Sequence, residues 1–147
     1  MQTFEIISTL VLLLTIGVMI WQNVITRRAS QSANVMELIK FLQDEDAHNA
    51  RQMVYTILRD KPLAFILEDD SRKSAVTKVC TTYDIAGLLL RNDFAKKEIF
   101  LESWGPSIID CYQILYEFIL HRRGEIAHDF WCDFEWLYRQ AVKHHQK

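Results

Sequence analysis

Hydrophobic residues follow two different patterns along the chain, and the pattern changes near residue 28. No charged side chain occurs from Ile6 to Trp21, and the uncharged run continues to Thr26. At ~1.5 Å per residue, the apolar part of a helix would cover about 24 Å and the whole run about 31 Å, which is enough to cross a bilayer core. We therefore predict a transmembrane anchor in residues 1–28, with a buried hydrophobic helix as the alternative.

Beyond residue 28 the hydrophobic residues recur at helical spacing, and no sustained alternation indicates a strand. Asn34 and Glu37 have the spacing of a capping box, so a first helix is predicted to open at Ser32 or Asn34. The acidic run Asp44–Asp46 suits the start of a second helix, because carboxylates stabilise helix N-termini. Pro62 is predicted to end that helix.

The remaining sequence predicts four more helices. One begins at Ser71 or Ser74 and ends near Asn92. A brief helix over residues 95–103 precedes Gly105 and Pro106, where proline suits the first turn of a new long helix. The last helix carries hydrophobic positions from residue 130 to residue 141 and is followed by a polar tail over residues 144–147. The fold class is therefore all-α, with an N-terminal transmembrane helix and an up-and-down helical bundle over residues 29–147.

Composition narrows the function classes. The chain has only four Gly and two Pro, and half of its 147 residues are hydrophobic. Such a composition is typical of long regular elements without a disordered linker. A net charge of -2 gives no overall positive field for nucleic acids. Cys80, Cys111 and Cys132 are odd in number and far apart, so they are predicted to be small buried hydrophobes and not disulfides or zinc ligands. We expect no metal and no cofactor.

The charges that flank the apolar run predict its orientation. Arg27 and Arg28 follow it directly, and every Lys and Arg of the chain lies after it. Because cytoplasmic flanks carry the excess of Lys and Arg, residues 29–147 are expected on the cytoplasmic side of a bacterial inner membrane.

Polar residues within the run share one side of the predicted helix. Plotted at ~100° per residue they fall inside an arc of about 100°. Such a stripe favours neighbouring helices or a water-filled lumen, so we predict a homo-oligomer larger than a dimer. Alternatively, the hydroxyl groups bond their own backbone carbonyls and have no further role. The stripe consists of Glu5, Ser8, Thr15, Gln22 and Thr26.

One pair of residues has a spacing suited to chemistry. Arg123 and His128 are separated by four residues at the junction of the last two long helices. A histidine of near-neutral pKa can move the proton of a 2'-hydroxyl, and an arginine can stabilise charge on a phosphate, so the pair suits RNA cleavage. The structural alternative is a cation at a helix C-terminus for Arg123 and a capping or core histidine for His128.

Two segments carry a family resemblance. WGPSIIDCYQILYEFILHRR, Trp104–Arg123, and FWCDFEWLY, Phe130–Tyr138, resemble a bacterial family of small proteins with one membrane helix and a helical domain of unknown function. Together with the Arg123–His128 spacing, the layout resembles the small membrane accessory proteins of type VI-B CRISPR systems, whose soluble part is a divergent HEPN-like bundle.

The resemblance implies a role in antiviral defence. A protein of this kind would strengthen an RNA-guided, RNA-cleaving effector against phage, assembling as a ring that forms a pore in the inner membrane. Arg123 and His128 map onto the HEPN pair. Active HEPN ribonucleases usually place Asn, Asp or His immediately after the arginine, whereas Gly124 stands there in this chain, which favours a structural role for the pair.

Three functional hypotheses follow. The first is a non-enzymatic, oligomeric membrane protein that depolarises or permeabilises the membrane, with lipids, further copies of the chain, and RNA or an RNA-guided effector as partners. The second is a membrane-tethered HEPN-like ribonuclease that uses Arg123 and His128 across a dimer. The third is a membrane effector whose bundle senses a cyclic nucleotide.

Overall fold

The computed structural model describes residues 2–146, and for residues 2–11, 13 and 28 it describes the backbone alone. Every regular element within residues 2–146 is a helix. The all-α prediction is therefore confirmed. The elements are α1 (Gln2–Leu42), α2 (Glu45–Met53), which continues as a π-helical turn (Val54–Leu58), α3 (Leu63–Leu67), α4 (Asp70–Arg91), α5 (Lys97–Glu125) and α6 (Cys132–His145).

The first helix is a single element of 41 residues, about 61 Å long at ~1.5 Å per residue. The predicted helix start at Ser32 or Asn34 is wrong, because α1 passes through both positions without a break. Asn34 caps no helix: its side-chain Nδ2 donates to the carbonyl of Phe94 at 2.7 Å. No Gly or Pro occurs between residues 18 and 42, so nothing local interrupts the helix across the predicted domain boundary.

The starts of α2 and α4 lie close to their predicted positions. Asp44 precedes α2, as the acidic run predicts. For α4 the predicted cap at Ser71 or Ser74 is wrong, because the cap is Asp69, whose Oδ1 accepts from the backbone N–H groups of Ser71 at 2.7 Å and Arg72 at 3.2 Å. An aspartate at this position satisfies two donors that the first helical turn leaves unpaired.

The largest departure from the sequence prediction is the continuity of α5, which runs through Gly105 and Pro106. Pro106 is exposed, so the carbonyl of Glu102 that loses its helical partner faces the solvent side. Gly105 is buried, and a Cβ there would overlap the imidazole of His145 in α6. The glycine therefore makes room for a neighbouring helix and does not end its own.

The core forms where α6 packs against both α4 and α5. Phe134 of α6 lies between two tyrosines, stacked on Tyr83 of α4 at 5.1 Å between ring centroids and edge-on to Tyr112 of α5 at 5.1 Å. Tyr138 stacks on Tyr112 at 4.4 Å. Among the described side chains of α1, those that are buried in this core lie in the last two turns: Val35, Leu38 and Leu42.

The C-terminal region differs from the prediction in three details. The last helix begins at Cys132, so Phe130 and Trp131 lie in the preceding turn. Cys132 is exposed, whereas Cys80 and Cys111 are buried as predicted. His145 belongs to α6 and not to a solvated tail, because its Nε2 lies 3.0 Å from the carbonyl oxygen of Leu101.

Candidate functional site

The segment that joins α5 to α6 contains both members of the predicted Arg–His pair. Arg123 lies in the last turn of α5, and its guanidinium points across the turn to the start of α6. Nε donates to the carbonyl of Phe130 at 2.9 Å, Nη1 donates to Glu135 Oε2 at 2.7 Å, and Nη2 lies 3.4 Å from the carbonyl of Trp131. All three guanidinium nitrogens of Arg123 are therefore occupied within the chain.

The partner of Arg123 is a carboxylate that the sequence did not single out. Glu135 accepts from Arg123 with one oxygen and from Arg139 with the other. The hydrogen bond from Arg123 lowers the pKa of Glu135 below its ordinary value of 4.5. This ion pair is largely buried, with 15% of the Arg123 and 24% of the Glu135 side chain exposed. Charge-assisted bonds at such a site lock the turn onto α6.

His128 is not part of this arrangement. It is exposed, and it makes no hydrogen bond with any residue between 2 and 146. Within one chain, therefore, the two residues do not form a common site. Arg123 connects α5 to α6, whereas the imidazole of His128 faces solvent. A shared site of HEPN type would need the His128 of a second chain and a guanidinium released from Glu135.

The start of α6 is held by α4. The Oδ1 atom of Asp84 accepts from the backbone N–H groups of Asp133 and Phe134, each at 3.0 Å, so a side chain of another helix caps α6. Burial raises the pKa of Asp84, although these two hydrogen bonds act in the opposite direction. One turn further along α4, Gly87 lies so close to α6 that a Cβ would overlap the backbone of Asp133.

We call the region where α4 and the end of α5 contact the start of α6 the joint. The joint imposes an unusual backbone conformation on Trp131. The residue has a φ of 56°, in the left-handed region that bulky side chains rarely adopt. Its indole is buried, stacks on Phe118 at 6.1 Å, and donates from Nε1 to Thr81 Oγ1 at 3.3 Å. Packing of the ring and the cap from Asp84 hold the conformation in place.

A second polar cluster lies in the core, and no local pattern in the sequence predicts it. Ser107 of α5 is hydrogen-bonded to two tyrosines, with its Oγ 2.5 Å from the hydroxyl of Tyr55 and 2.7 Å from that of Tyr83. The thiol of Cys111 donates to Tyr55 at 3.3 Å, and burial raises the pKa of Cys111 to about 11. Because every hydroxyl has a partner and all groups are neutral, the cluster positions helices.

No group of three or more His, Cys, Asp or Glu that could hold a metal ion occurs in the described part of the chain. The predicted stripe on α1 is only partly visible. Thr15, Gln22 and Thr26 are exposed on one side of the helix, whereas the side chains of Glu5 and Ser8 lie outside the described residues.

Residues 12–25 of α1 present an exposed apolar surface. Large hydrophobic side chains on all sides of the helix are 42–68% exposed, and Leu14 and Trp21 are the most exposed at 68% and 66%. Within residues 2–146, no described helix combines the length and the apolar content that a membrane crossing needs. The exposed set is Leu12, Leu14, Ile16, Val18, Met19, Ile20, Trp21, Val24 and Ile25.

Comparisons with known proteins give one match. No curated protein and no solved structure matches the chain. A family model described as "Domain of unknown function (DUF4760)" matches residues 3–141, which include the first half of α1 as well as the whole helical bundle up to the last turn of α6. The chain is therefore a member of the DUF4760 family.

Proposed function

We propose that the protein is a membrane-anchored, non-enzymatic protein of the bacterial inner membrane, with its helical bundle on the cytoplasmic side. The observation that carries this proposal is the exposure of hydrophobic side chains all around α1 from Leu12 to Ile25. In water, exposed apolar surface costs roughly 25 cal/mol per Å² relative to an apolar surrounding. A helix that is hydrophobic on every side belongs in lipid or in a protein core, and no other helix covers these side chains in the part of the chain that the structure describes.

The proposed anchor continues into the bundle as one unbroken helix. The helix that carries the exposed hydrophobic residues continues to Leu42, which is fully buried in the core. A continuous helix is stiffer than a flexible linker, so it would hold the bundle at a fixed height and orientation above the membrane. Arg27, directly after the apolar residues, supports the cytoplasmic side for the bundle.

Self-association is the second part of the proposal. Gln22 and Thr26 lie on the same side of α1 as Thr15, next to large apolar surfaces. Amide and hydroxyl groups gain little from lipid, and equivalent groups on neighbouring copies supply partners for them. Around a ring of such helices, the polar stripes would face a lumen, which gives the assembly the means to permeabilise the membrane.

The biological role rests on resemblance. The layout resembles that of the HEPN-like accessory proteins of type VI-B CRISPR systems, so we propose that the assembly enhances RNA-guided antiviral interference by depolarising the membrane. The geometry of Arg123 supports a non-enzymatic role, because its guanidinium is bound to Glu135 and Phe130, and the exposed His128 makes no hydrogen bond with it. A ribonuclease would need these bonds to open.

The test uses the full chain purified in mild detergent and reconstituted into vesicles. We expect particles larger than a dimer by mass photometry, and loss of a membrane potential that is monitored with a voltage-sensitive dye. The same preparation is incubated with labelled RNA, next to His128→Ala as the control variant. A monomer that leaves the potential intact would contradict the pore. RNA cleavage that His128→Ala abolishes would replace this proposal with the ribonuclease.

A further inference from the structure

A groove opens between α1 and the loop that joins α4 to α5. Its volume is about 540 Å³, and it begins at Asn23, within the last exposed hydrophobic turns of α1. Side chains of Asn23, Arg27, Gln31 and Asn34 line it from α1, and Asp93 and Phe94 line it from the loop. If α1 is a membrane anchor, this groove lies at the depth of the lipid headgroups.

Two opposite charges line the groove without pairing. Arg27 and Asp93 are both exposed, and neither forms an ion pair with the other or with any residue in the described part of the chain. Elsewhere on the surface, exposed arginines of this protein do find carboxylates, as Arg59 does with Asp110 at 3.4 Å. The groove therefore presents a free cation and a free anion to a ligand that carries both charges.

The two amide side chains in the groove use their nitrogens to bind the loop, which leaves their oxygens as acceptors for a ligand. Gln31 donates from Nε2 to the carbonyl of Asp93 at 3.2 Å, and Asn34 donates from Nδ2 to the carbonyl of Phe94 at 2.7 Å. With their nitrogens engaged, both side chains keep their amide oxygens available. Together with the Asp93 carboxylate, these oxygens suit an ammonium group, which has three donors and no acceptor.

The order of the groups along α1 matches a particular headgroup. Arg27 is nearer the apolar part of the helix, and Gln31 is four residues further toward the bundle, a rise of about 6 Å along the helix axis. In a phospholipid the phosphate is likewise nearer the acyl chains, and the amine extends beyond it. We propose that this groove binds the phosphoethanolamine headgroup of a lipid, with the phosphate on Arg27 and the ammonium on Asp93, Gln31 and Asn34.

The chemistry distinguishes this headgroup from other lipids. A phosphocholine headgroup carries the same two charges, but its quaternary nitrogen has no N–H to donate to the carboxylate and amide oxygens. A phosphoglycerol headgroup has no cation for Asp93. The inference rests on the proposed membrane anchoring of α1, because only an anchored chain holds this groove among lipid headgroups.

The experiment reconstitutes the full chain into vesicles of phosphatidylcholine alone and with added phosphatidylethanolamine or phosphatidylglycerol. Insertion is measured by flotation, and melting of the bundle is followed by tryptophan fluorescence. A further sample in phosphatidylcholine receives water-soluble phosphoethanolamine. Arg27→Gln and Asp93→Asn test the groove. Arg59→Gln and Asp129→Asn, which change the same residue types at exposed positions outside the groove, are the matched controls.

We expect insertion into all three vesicles and a rise of about 5 °C in melting temperature with phosphatidylethanolamine alone. Arg27→Gln and Asp93→Asn should each abolish the rise, whereas both control variants should keep it. Insertion with equal melting temperatures in all lipids would overturn the headgroup site but leave the anchor intact. An equal rise with soluble phosphoethanolamine would overturn a lipid as the source of the ligand. Failure to insert into any vesicle would overturn the anchor and the site together.

Discussion

The first half of α1 and the joint between α4, α5 and α6 are both rich in large hydrophobic residues, but they differ in what covers them. At the joint, Phe118, Trp131 and Phe134 are almost completely buried. On α1, from Leu12 to Ile25, the large hydrophobic side chains are 42–68% exposed. The bundle therefore covers its own core, whereas within the described part of the chain nothing covers the large hydrophobic side chains between residues 12 and 25.

Polar groups differ between the two regions in the same way. At the joint, Asp84, Arg123 and Glu135 each bind specific atoms of a neighbouring element. Along α1, Arg27 lies exposed without an ion pair in the described part of the chain. The joint is therefore expected to respond to mutations as an ordinary protein core, and α1 to respond only when lipid or a second copy is present.

The largest effect on the joint is expected from Gly87→Ala. A Cβ at this position would overlap the backbone of Asp133, so α4 and α6 must move apart and the core loses contacts along both helices. We expect the free energy of unfolding to fall by roughly 2–3 kcal/mol, measured by urea denaturation in mild detergent. The matched control is Gly124→Ala, where a Cβ would meet no atom within 4 Å. That change should be neutral or stabilise by up to ~1 kcal/mol, because alanine favours the helix. Equal effects at both positions would disprove close packing at Gly87.

Arg123→Ala is expected to have the next largest effect. It leaves Glu135 without its buried partner and removes a donor from the carbonyl of Phe130, so the free energy of unfolding should fall by about 2 kcal/mol. His128→Ala provides the contrast, because its exposed imidazole makes no hydrogen bond in the described part of the chain, and it should change stability by less than ~0.5 kcal/mol. Comparable losses in the two variants would show that the pair acts as a unit.

Two substitutions of Asp84 distinguish the hydrogen-bond geometry of the α6 cap from the negative charge of the carboxylate. Asp84→Ala removes the acceptor for the N–H groups of Asp133 and Phe134, and should cost about 1 kcal/mol. Asp84→Asn keeps an oxygen acceptor and removes a charge whose burial is unfavourable, since burial raises the pKa of Asp84. Its stability at pH 7 should therefore lie close to that of the wild type. An Asp84→Asn variant as unstable as Asp84→Ala would show that the negative charge itself is required.

The smallest expected effect is the pH dependence of the stability that Glu135 contributes. The pKa of Glu135 is lowered in the folded protein by the hydrogen bond from Arg123, so the folded state binds a proton less readily than the unfolded state. The contribution of this carboxylate to stability is complete above its ordinary pKa of 4.5 and is lost as the pH falls through the lowered value. The stability difference between wild type and Glu135→Gln should therefore shrink as the pH falls below about 4.5. Measurements of unfolding between pH 3 and pH 7 would reveal it, and a constant difference across that range would contradict the charged pair.

The regular parts of the fold could be predicted from sequence because their signals are local. The acidic run before α2 and the hydrophobic periodicity of α4 depend on neighbouring residues alone. The continuity of α5 could not be predicted in this way. Gly105 and Pro106 favour a helix boundary locally, and the reason for the glycine is His145, which lies 40 residues further along the chain.

The candidate site shows the same limit. Arg123 was identified from its spacing to His128, but its actual partner is Glu135, 12 residues along the chain. Asp84 and Asp133 are separated by 49 residues, so the cap of α6 leaves no local sequence pattern. The hydrophobic run of α1 can be recognised from sequence because hydropathy is additive along a helix and does not depend on tertiary partners, and its crossing of a membrane stays a prediction.

The most direct measurement of the central claim is the flotation of full-length protein with lipid vesicles after dilution from detergent. Wild-type protein should float with the vesicles and resist extraction with alkaline carbonate. An arginine at the centre of a membrane helix costs roughly 2.5–3.5 kcal/mol, so Leu14→Arg should lower the vesicle-bound fraction relative to free protein about 100-fold. Met36→Arg is the matched control, since Met36 lies on the same helix and is 56% exposed, but within the bundle. We predict that Met36→Arg floats as the wild type does. Wild-type protein that stays in solution, or equal binding by Leu14→Arg and Met36→Arg, would contradict insertion of the first half of α1 into the membrane.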